Sequence, residues 1–225
     1  MVSGAKGWRL SWRLLILVLV ATPAFALSYF TALEPTLIQR LAARFGAEAS
    51  PRPGYWREQF AARRRHEMSD RQRMELANRM ANNIPYADDL AHWGVAEYWA
   101  TPAEFVASDG GDCDDYAITK YFSLIELGMA AEKLRITYVR ALSAREITHH
   151  MVLAYYVQPD AEPLILDNLV DEILPAGHRL DLLPVLSFND AETWAGHGTK
   201  ARKVSSSAVR QWNELRQRMA KEGVQ

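Results

Sequence analysis

A single cysteine, Cys113, occurs in 225 residues, so no disulfide can form within the chain and no zinc-ligand spacing exists. An excess of charge of either sign is also lacking. The formal net charge is -1, which leaves no basic field to attract nucleic acid or anionic lipid. There are no internal repeats and no phosphate-binding glycine loop. The one long apolar run, residues 14–21, is about half of the roughly 20 residues that a membrane-spanning helix needs. What the chain does have is 49% hydrophobic content, enough for one good core, or one core with a small helical subdomain.

The apolar run has a distinct setting. Lys6, Arg9 and Arg13 precede it, and Pro23 and the small-residue pattern Ala24-Phe25-Ala26 follow it. This reads as a signal peptide, residues 1–26, with cleavage after Ala26. Leu27, Tyr29 and Phe30 extend the apolar character, so an uncleaved anchor is the alternative. Removing residues 1–26 takes away three cations and no anion, leaving about -4 on the mature chain. The mature protein is therefore expected to work outside the cytoplasm.

Export sharpens the question of the lone thiol. Exported proteins use cysteines in pairs, and an unpaired one is either buried and inert or kept reactive. Inert cysteines sit among apolar residues. Cys113 instead stands in Gly111-Asp112-Cys113-Asp114-Asp115-Tyr116.

Periodicity places this segment. Leu37, Ile38, Leu41, Ala42 and Phe45 predict a helix ending at Gly46, and Ser50-Pro51-Arg52-Pro53-Gly54 reads as a breaker cluster. Two helices are expected between residues 55 and 82, with an interruption near Ser69-Asp70. Thr101-Pro102-Ala103-Glu104 has the form of a capping box with proline at the first helical position. After the turn Asp109-Gly110-Gly111, residues 114–127 resume helical spacing, so Cys113 lies at a helix N-terminus. Free backbone N–H groups there favour a thiolate and supply oxyanion donors. The flanking aspartates oppose the thiolate, which calls for an offsetting cation: an imidazolium, a metal ion, or both.

Beyond Gly128 the pattern changes to strands at residues 134–139, 150–157 and 163–168. The turn Pro159-Asp160-Ala161-Glu162 makes the last two an antiparallel pair, which brings His150 beside Asp167. The chain thus offers a nucleophile, a base and an orienting acid in the order Cys113, His150, Asp167. His149 faces the opposite way on such a strand. Asp171 and Glu172 follow the strand as solvated acids, and His66, His92, His178 and His197 have no metal-like spacing. Trp93 and Trp99 read as packing residues, one of which could shape a cleft or donate its indole N–H to an oxyanion. Residues 185–203 read as loop, and Ser205-Ser206-Ser207 could cap a last amphipathic helix with Val209, Trp212, Leu215 and Met219 on one face.

Four separated motifs, Tyr98-Trp99-Ala100-Thr101-Pro102, Gly111-Asp112-Cys113-Asp114-Asp115-Tyr116-Ala117-Ile118, His150-Met151-Val152-Leu153 and Leu166-Asp167-Asn168-Leu169, resemble the bacterial transglutaminase-like cysteine proteinases over about residues 50–195. The resemblance is strongest to the periplasmic members that release large biofilm adhesins. It implies an α+β, papain-like/transglutaminase-like domain over residues 27–225, its N-terminal helical part packed on a helix plus antiparallel sheet core. Within it, 27–100 would be the helical part, 101–180 the catalytic core and 181–225 a C-terminal loop and helix.

The resemblance makes Cys113 the nucleophile, His150 the base and Asp167 the third member of a triad. It also implies calcium, Ca2+, held by acidic residues around the cysteine, which maps onto Asp112, Asp114 and Asp115. Too few donors are visible in the sequence for calcium's six to eight oxygens, and Glu104 and Asp109 are candidates to complete the shell. A helix cap is the plain alternative for Asp112 or Asp114. The implied substrate is a large repeat-containing surface adhesin, and the implied inhibitory partner an inner-membrane cyclic di-GMP receptor. A transglutaminase with the same triad, or a non-catalytic binding module, is the competing expectation.

Overall fold

Proline and glycine set the helix boundaries in the computed structural model, which describes residues 28–64, 66–143, 146–196, 202–204 and 210–222. Helix α1, Pro35–Phe45, opens on a proline and ends at Gly46, whose φ of 94° only glycine adopts without strain. Helix α2 spans Pro51–Arg63, so the proline-rich cluster expected to break structure is instead its first turn. The correction has a simple cause: first-turn N–H groups have no intrahelical partner, so prolines there forfeit nothing. Helix α3, Asp70–Asn82, starts at Ser69 with a complete capping box to Gln72. The short helix α4, Asp89–Trp93, then leads to α5, Pro102–Ser108, and α6, Cys113–Glu126.

Among the described residues, seven antiparallel strands follow in the spatial order β4-β3-β2-β1-β5-β6-β7. They are β1 Leu134–Leu142, β2 Ile147–Tyr155, β3 Leu164–Leu166, β4 Leu174–Pro175, β5 Leu182–Phe188, β6 Thr193–Ala195 and β7 Arg202–Val204. The expected pairing of the second and third strands is present, with Leu153 opposite Leu166. Residues 185–203, read as loop, supply much of β5, all of β6 and most of β7. Their short runs alternate weakly, and successive pairing of β5 with β1, β6 with β5 and β7 with β6, rather than local propensity, fixes them as strands.

One face of the sheet packs against α6 through Leu134 and Ile136 of β1 and Met151 and Leu153 of β2, within a core that also holds Phe105, Tyr121 and Phe122. The alternate residues Val139, Val152, Ala154, Ile165 and Leu182 form a separate buried cluster on the opposite face. The last helix, α7 Arg210–Lys221, buries Trp212, Leu215 and Met219 in the main core, with the Trp212 ring stacked on Phe122 at 5.7 Å. Residues 1–26 and Ser205–Ser207, where a signal peptide and a helix cap were expected, lie outside the described residues.

Glu222 ties this C-terminal helix to the rest of the molecule. Its carboxylate accepts hydrogen bonds from Tyr29 Oη and Thr101 Oγ1, both at 2.8 Å. Burial pushes its pKa up to about 7 against the bonds from those two hydroxyls. The folded protein therefore holds a proton that the unfolded chain releases near 4.5. Folding is favoured at low pH and is progressively penalised as pH rises from about 4.5 to 7. Glu222→Gln, which carries no such charge, is expected to flatten this slope in thermal melts followed across that window. A slope unchanged by the substitution would assign it to other groups.

Candidate active site

The sequence before Cys113 aims it. Thr101 Oγ1 accepts from the Glu104 N–H at 3.2 Å while Glu104 Oε2 accepts from the Thr101 N–H at 3.0 Å, so the expected capping box starts α5. Asp109 ends that helix with φ at 56°, a left-handed conformation that aspartate tolerates. Gly111 follows because nothing larger fits: a Cβ there would stand 2.3 Å from Asp115 Oδ2 and 2.6 Å from the Phe105 ring. Its carbonyl accepts from the Ala87 N–H at 2.9 Å, which fastens the turn to the segment after α3. Asp112 then caps α6, accepting from the Asp114 N–H at 3.3 Å, and Cys113 is the first residue of the helix.

The thiol is half-buried and packs against the main core. Burial pushes its pKa well up, Asp114 and Asp112 push it further, and the Met151 backbone on β2, one residue from His150, opposes them. His150 is buried, and its Nε2–H donates to Asp167 Oδ1 at 2.7 Å. Asp167 lies one residue beyond β3 and is buried too.

Three further contacts hold Asp167. Its Oδ1 accepts from the Leu169 N–H at 3.1 Å, its Oδ2 accepts from Arg179 Nη2 at 2.7 Å, and its backbone carbonyl accepts from Asn82 Nδ2 at 2.9 Å. Burial would raise the Asp167 pKa, but the bonds from His150, Leu169 and Arg179 hold it down at about 2. The carboxylate is thus charged at any working pH and keeps His150 in the tautomer with its proton on Nε2. Nδ1 is the ring nitrogen left for another partner.

A second group of carboxylates lies next to the thiol in the chain. Oxygens of Asp89, Asp112 and Asp114 all fall within 4.8 Å of one another. Burial pushes the Asp89 pKa up to about 6, with Asp112 and Asp88 adding to it. Burial also raises Asp112, and burial with the neighbouring Asp115 raises Asp114. Asp89 Oδ1 and Asp114 Oδ1 are buried with no hydrogen-bond partner among the described residues. Buried, unpartnered carboxylate oxygens converging on one point are a costly arrangement unless a cation compensates them. The donors are all hard oxygens, so the group could hold a hard metal ion.

Asp115, expected as a ligand, is not in this group. It is fully buried and its Oδ1 accepts from the Ala100 N–H at 2.6 Å, fixing the Trp99-Ala100 connection to α6. The reason is helical geometry: Asp112 and Asp114 belong to the start of α6, where the chain is still turning, whereas Asp115 has rotated toward α5. Glu104 and Asp109 are engaged elsewhere, Glu104 with Arg44 and Arg218 and Asp109 with Arg52 at 3.1 Å. Asp112 combines both readings offered for it, cap and member of the cluster.

His149 is exposed, as are Asp171, Glu172, His66 and His178. His92 is half-buried against Trp93, and His197 is outside the described residues. The Trp99 ring stacks on Phe188 at 5.8 Å as a packing residue, and its indole N–H has no partner. Three residues escaped the sequence reading. Asp89 and Arg179 are joined to the site only through the fold. Lys120, fully buried with its Nζ unpartnered and its pKa lowered by burial to about 7, shared a helical face with Cys113 that was legible but unused.

A cysteine heading a helix, packed on an antiparallel sheet that carries a buried His–Asp pair, defines the class as cysteine hydrolases of transglutaminase-like fold. Comparison with known proteins narrows it. The chain belongs to the bacterial transglutaminase-like cysteine proteinases (BTLCP), whose family model matches residues 55–195. Among solved structures it is similar to Legionella pneumophila LapG in an EGTA-treated form, at 35% identity and a TM-score of 0.70 over 83% of this chain and 97% of that one. The calcium-bound form of the same Legionella protein is 36% identical, with a TM-score of 0.68, over 83% and 99% of the two chains. A search of the curated proteins found no match.

Proposed function

We propose that this transglutaminase-like cysteine proteinase is a calcium-dependent endopeptidase of the periplasm that cuts the N-terminal region of a large surface adhesin and so promotes biofilm dispersal. The observation that carries the catalytic reading is the buried His150–Asp167 pair at 2.7 Å, with His150 on the strand whose Met151 backbone favours the Cys113 thiolate. Asp167 occupies Nε2, which leaves His150 Nδ1 to take the thiol proton. The thiolate attacks the scissile carbonyl, and backbone N–H groups at the start of α6 receive the developing oxyanion. The imidazolium, stabilised by Asp167, returns the proton to the leaving amine. His150 then deprotonates a water that hydrolyses the thioester.

Asp89, Asp112 and Asp114 would hold the calcium. Bound there, it would supply positive charge beside the two aspartates that flank the thiol and push its pKa up. Support for the ion's identity comes from the hard-oxygen donor set and from the calcium-bound LapG structure. The adhesin substrate, export by residues 1–26, and sequestration by an inner-membrane cyclic di-GMP receptor follow from the family resemblance.

Incubation of the protein with the N-terminal fragment of a co-encoded repeat adhesin, in calcium, should yield two products by mass spectrometry. A labelled amine added at millimolar concentration should stay out of both. Incorporation of the amine into glutamine side chains without chain cleavage would replace the protease reading with acyl transfer.

A further inference from the structure

The face of the sheet turned away from α6 is not simply a second, smaller core. A cavity of about 520 Å³ opens there, a size typical of sites for small organic ligands. Its floor is apolar, made by Val139, Val152, Ala154 and Ile165 on the central strands. Two guanidinium groups join this lining, Arg135 from β1 and Arg179 from the segment before β5. They are only 9% and 4% exposed.

The two arginines differ in what balances them. Arg179 is matched by Asp167 and Asp181, at 2.7 and 2.8 Å. Arg135 has no carboxylate partner among the described residues. It lies 4.1 Å from the ring centres of both Tyr156 and Trp194, its Nη2 donates to the Pro159 carbonyl at 3.3 Å, and its charge lowers the Tyr156 pKa against the effect of burial. Its Nε–H is buried without a partner among the described residues. Packing between two rings fixes the position of the charge without neutralising it. A buried cation that lacks an anion is costly, and a ligand able to supply one gains what the protein has left unpaired.

We propose that this cavity binds a small monoanion with an apolar body, a medium-chain carboxylate, with its head on Arg135 and its chain along the floor of β1, β2 and β3. One uncompensated charge calls for one negative charge. Asp160 and Glu162 at the mouth repel polyanions such as phosphate esters. The apolar floor rejects small hydrophilic acids. The site is separate from the thiol and stands or falls independently of the protease reading.

Decanoate is the probe, titrated calorimetrically into Cys113→Ala protein beside the isosteric neutral decanol. Decanoate is expected to bind saturably, one per chain, with decanol at least about tenfold weaker, as loss of a charge-assisted hydrogen bond requires. Arg135→Met, which keeps much of the apolar stem, should weaken decanoate by a similar factor and leave decanol unchanged. Equal affinity for acid and alcohol, absence of saturable decanoate binding, or full affinity in a folded Arg135→Met protein would overturn the assignment. The acid and alcohol comparison needs no substitution at Arg135, so the test survives if that variant does not fold.

Discussion

Replacing Cys113 with alanine is expected to lower the rate of adhesin-fragment cleavage by about 10³-fold or more, because the chain holds no other thiol to serve as nucleophile. His150→Ala should cost about as much. The double variant should cost no more than either single one, since a nucleophile and its base act as a unit. Folding should be spared in Cys113→Ala, because the thiol is half-buried at a helix start where alanine is well tolerated. The measurement is kcat/KM on the purified fragment, with a thermal melt as control. Cleavage that persists in a folded Cys113→Ala protein would remove the cysteine from the mechanism, and additive losses in the double variant would separate His150 from it.

The second large effect concerns the carboxylate cluster. Calcium should raise the melting temperature and EGTA should reverse the rise, because an ion that binds only the folded chain stabilises it by mass action. Asp89→Asn should weaken calcium by at least about tenfold, since affinity follows the number of charged oxygen ligands. Asp115→Asn should leave the calcium affinity within about threefold, because that side chain stands outside the Asp89, Asp112 and Asp114 group and its Oδ1 accepts from the Ala100 N–H. The shift in melting temperature against free calcium, measured for the parent and both variants, separates the two aspartates. The reverse ranking would return Asp115 to the ligand set and take Asp89 out of it.

These two residues also mark where the sequence stopped being informative. Helix boundaries were legible wherever a local rule fixes them: the Thr101 capping box, the Gly46 stop and the Asp112 cap all depend on residues within one turn. The pairing of His150 with Asp167 was legible because their two strands follow one another in the chain with turn residues between them, which favours an antiparallel pair. Asp89 was hidden because its approach to Asp114 depends on how the α4 segment folds back onto the start of α6. Arg179 was hidden because it reaches Asp167 from a segment with almost no regular structure. The strands after residue 181 were missed for a related reason: β5 pairs with β1, more than forty residues earlier in the chain, and β6 and β7 are added onto β5 in turn.

The single cysteine has a practical consequence. A thiol reagent can react with this chain at one place only, the head of α6. Molar uptake of such a reagent therefore counts nucleophiles directly, and a fluorophore attached in this way reports from the cleft without any engineered label site. The same economy makes the molecule fragile. With no second thiol to capture a sulfenic acid as a disulfide within the chain, one oxidant hit at Cys113 has no internal route of repair.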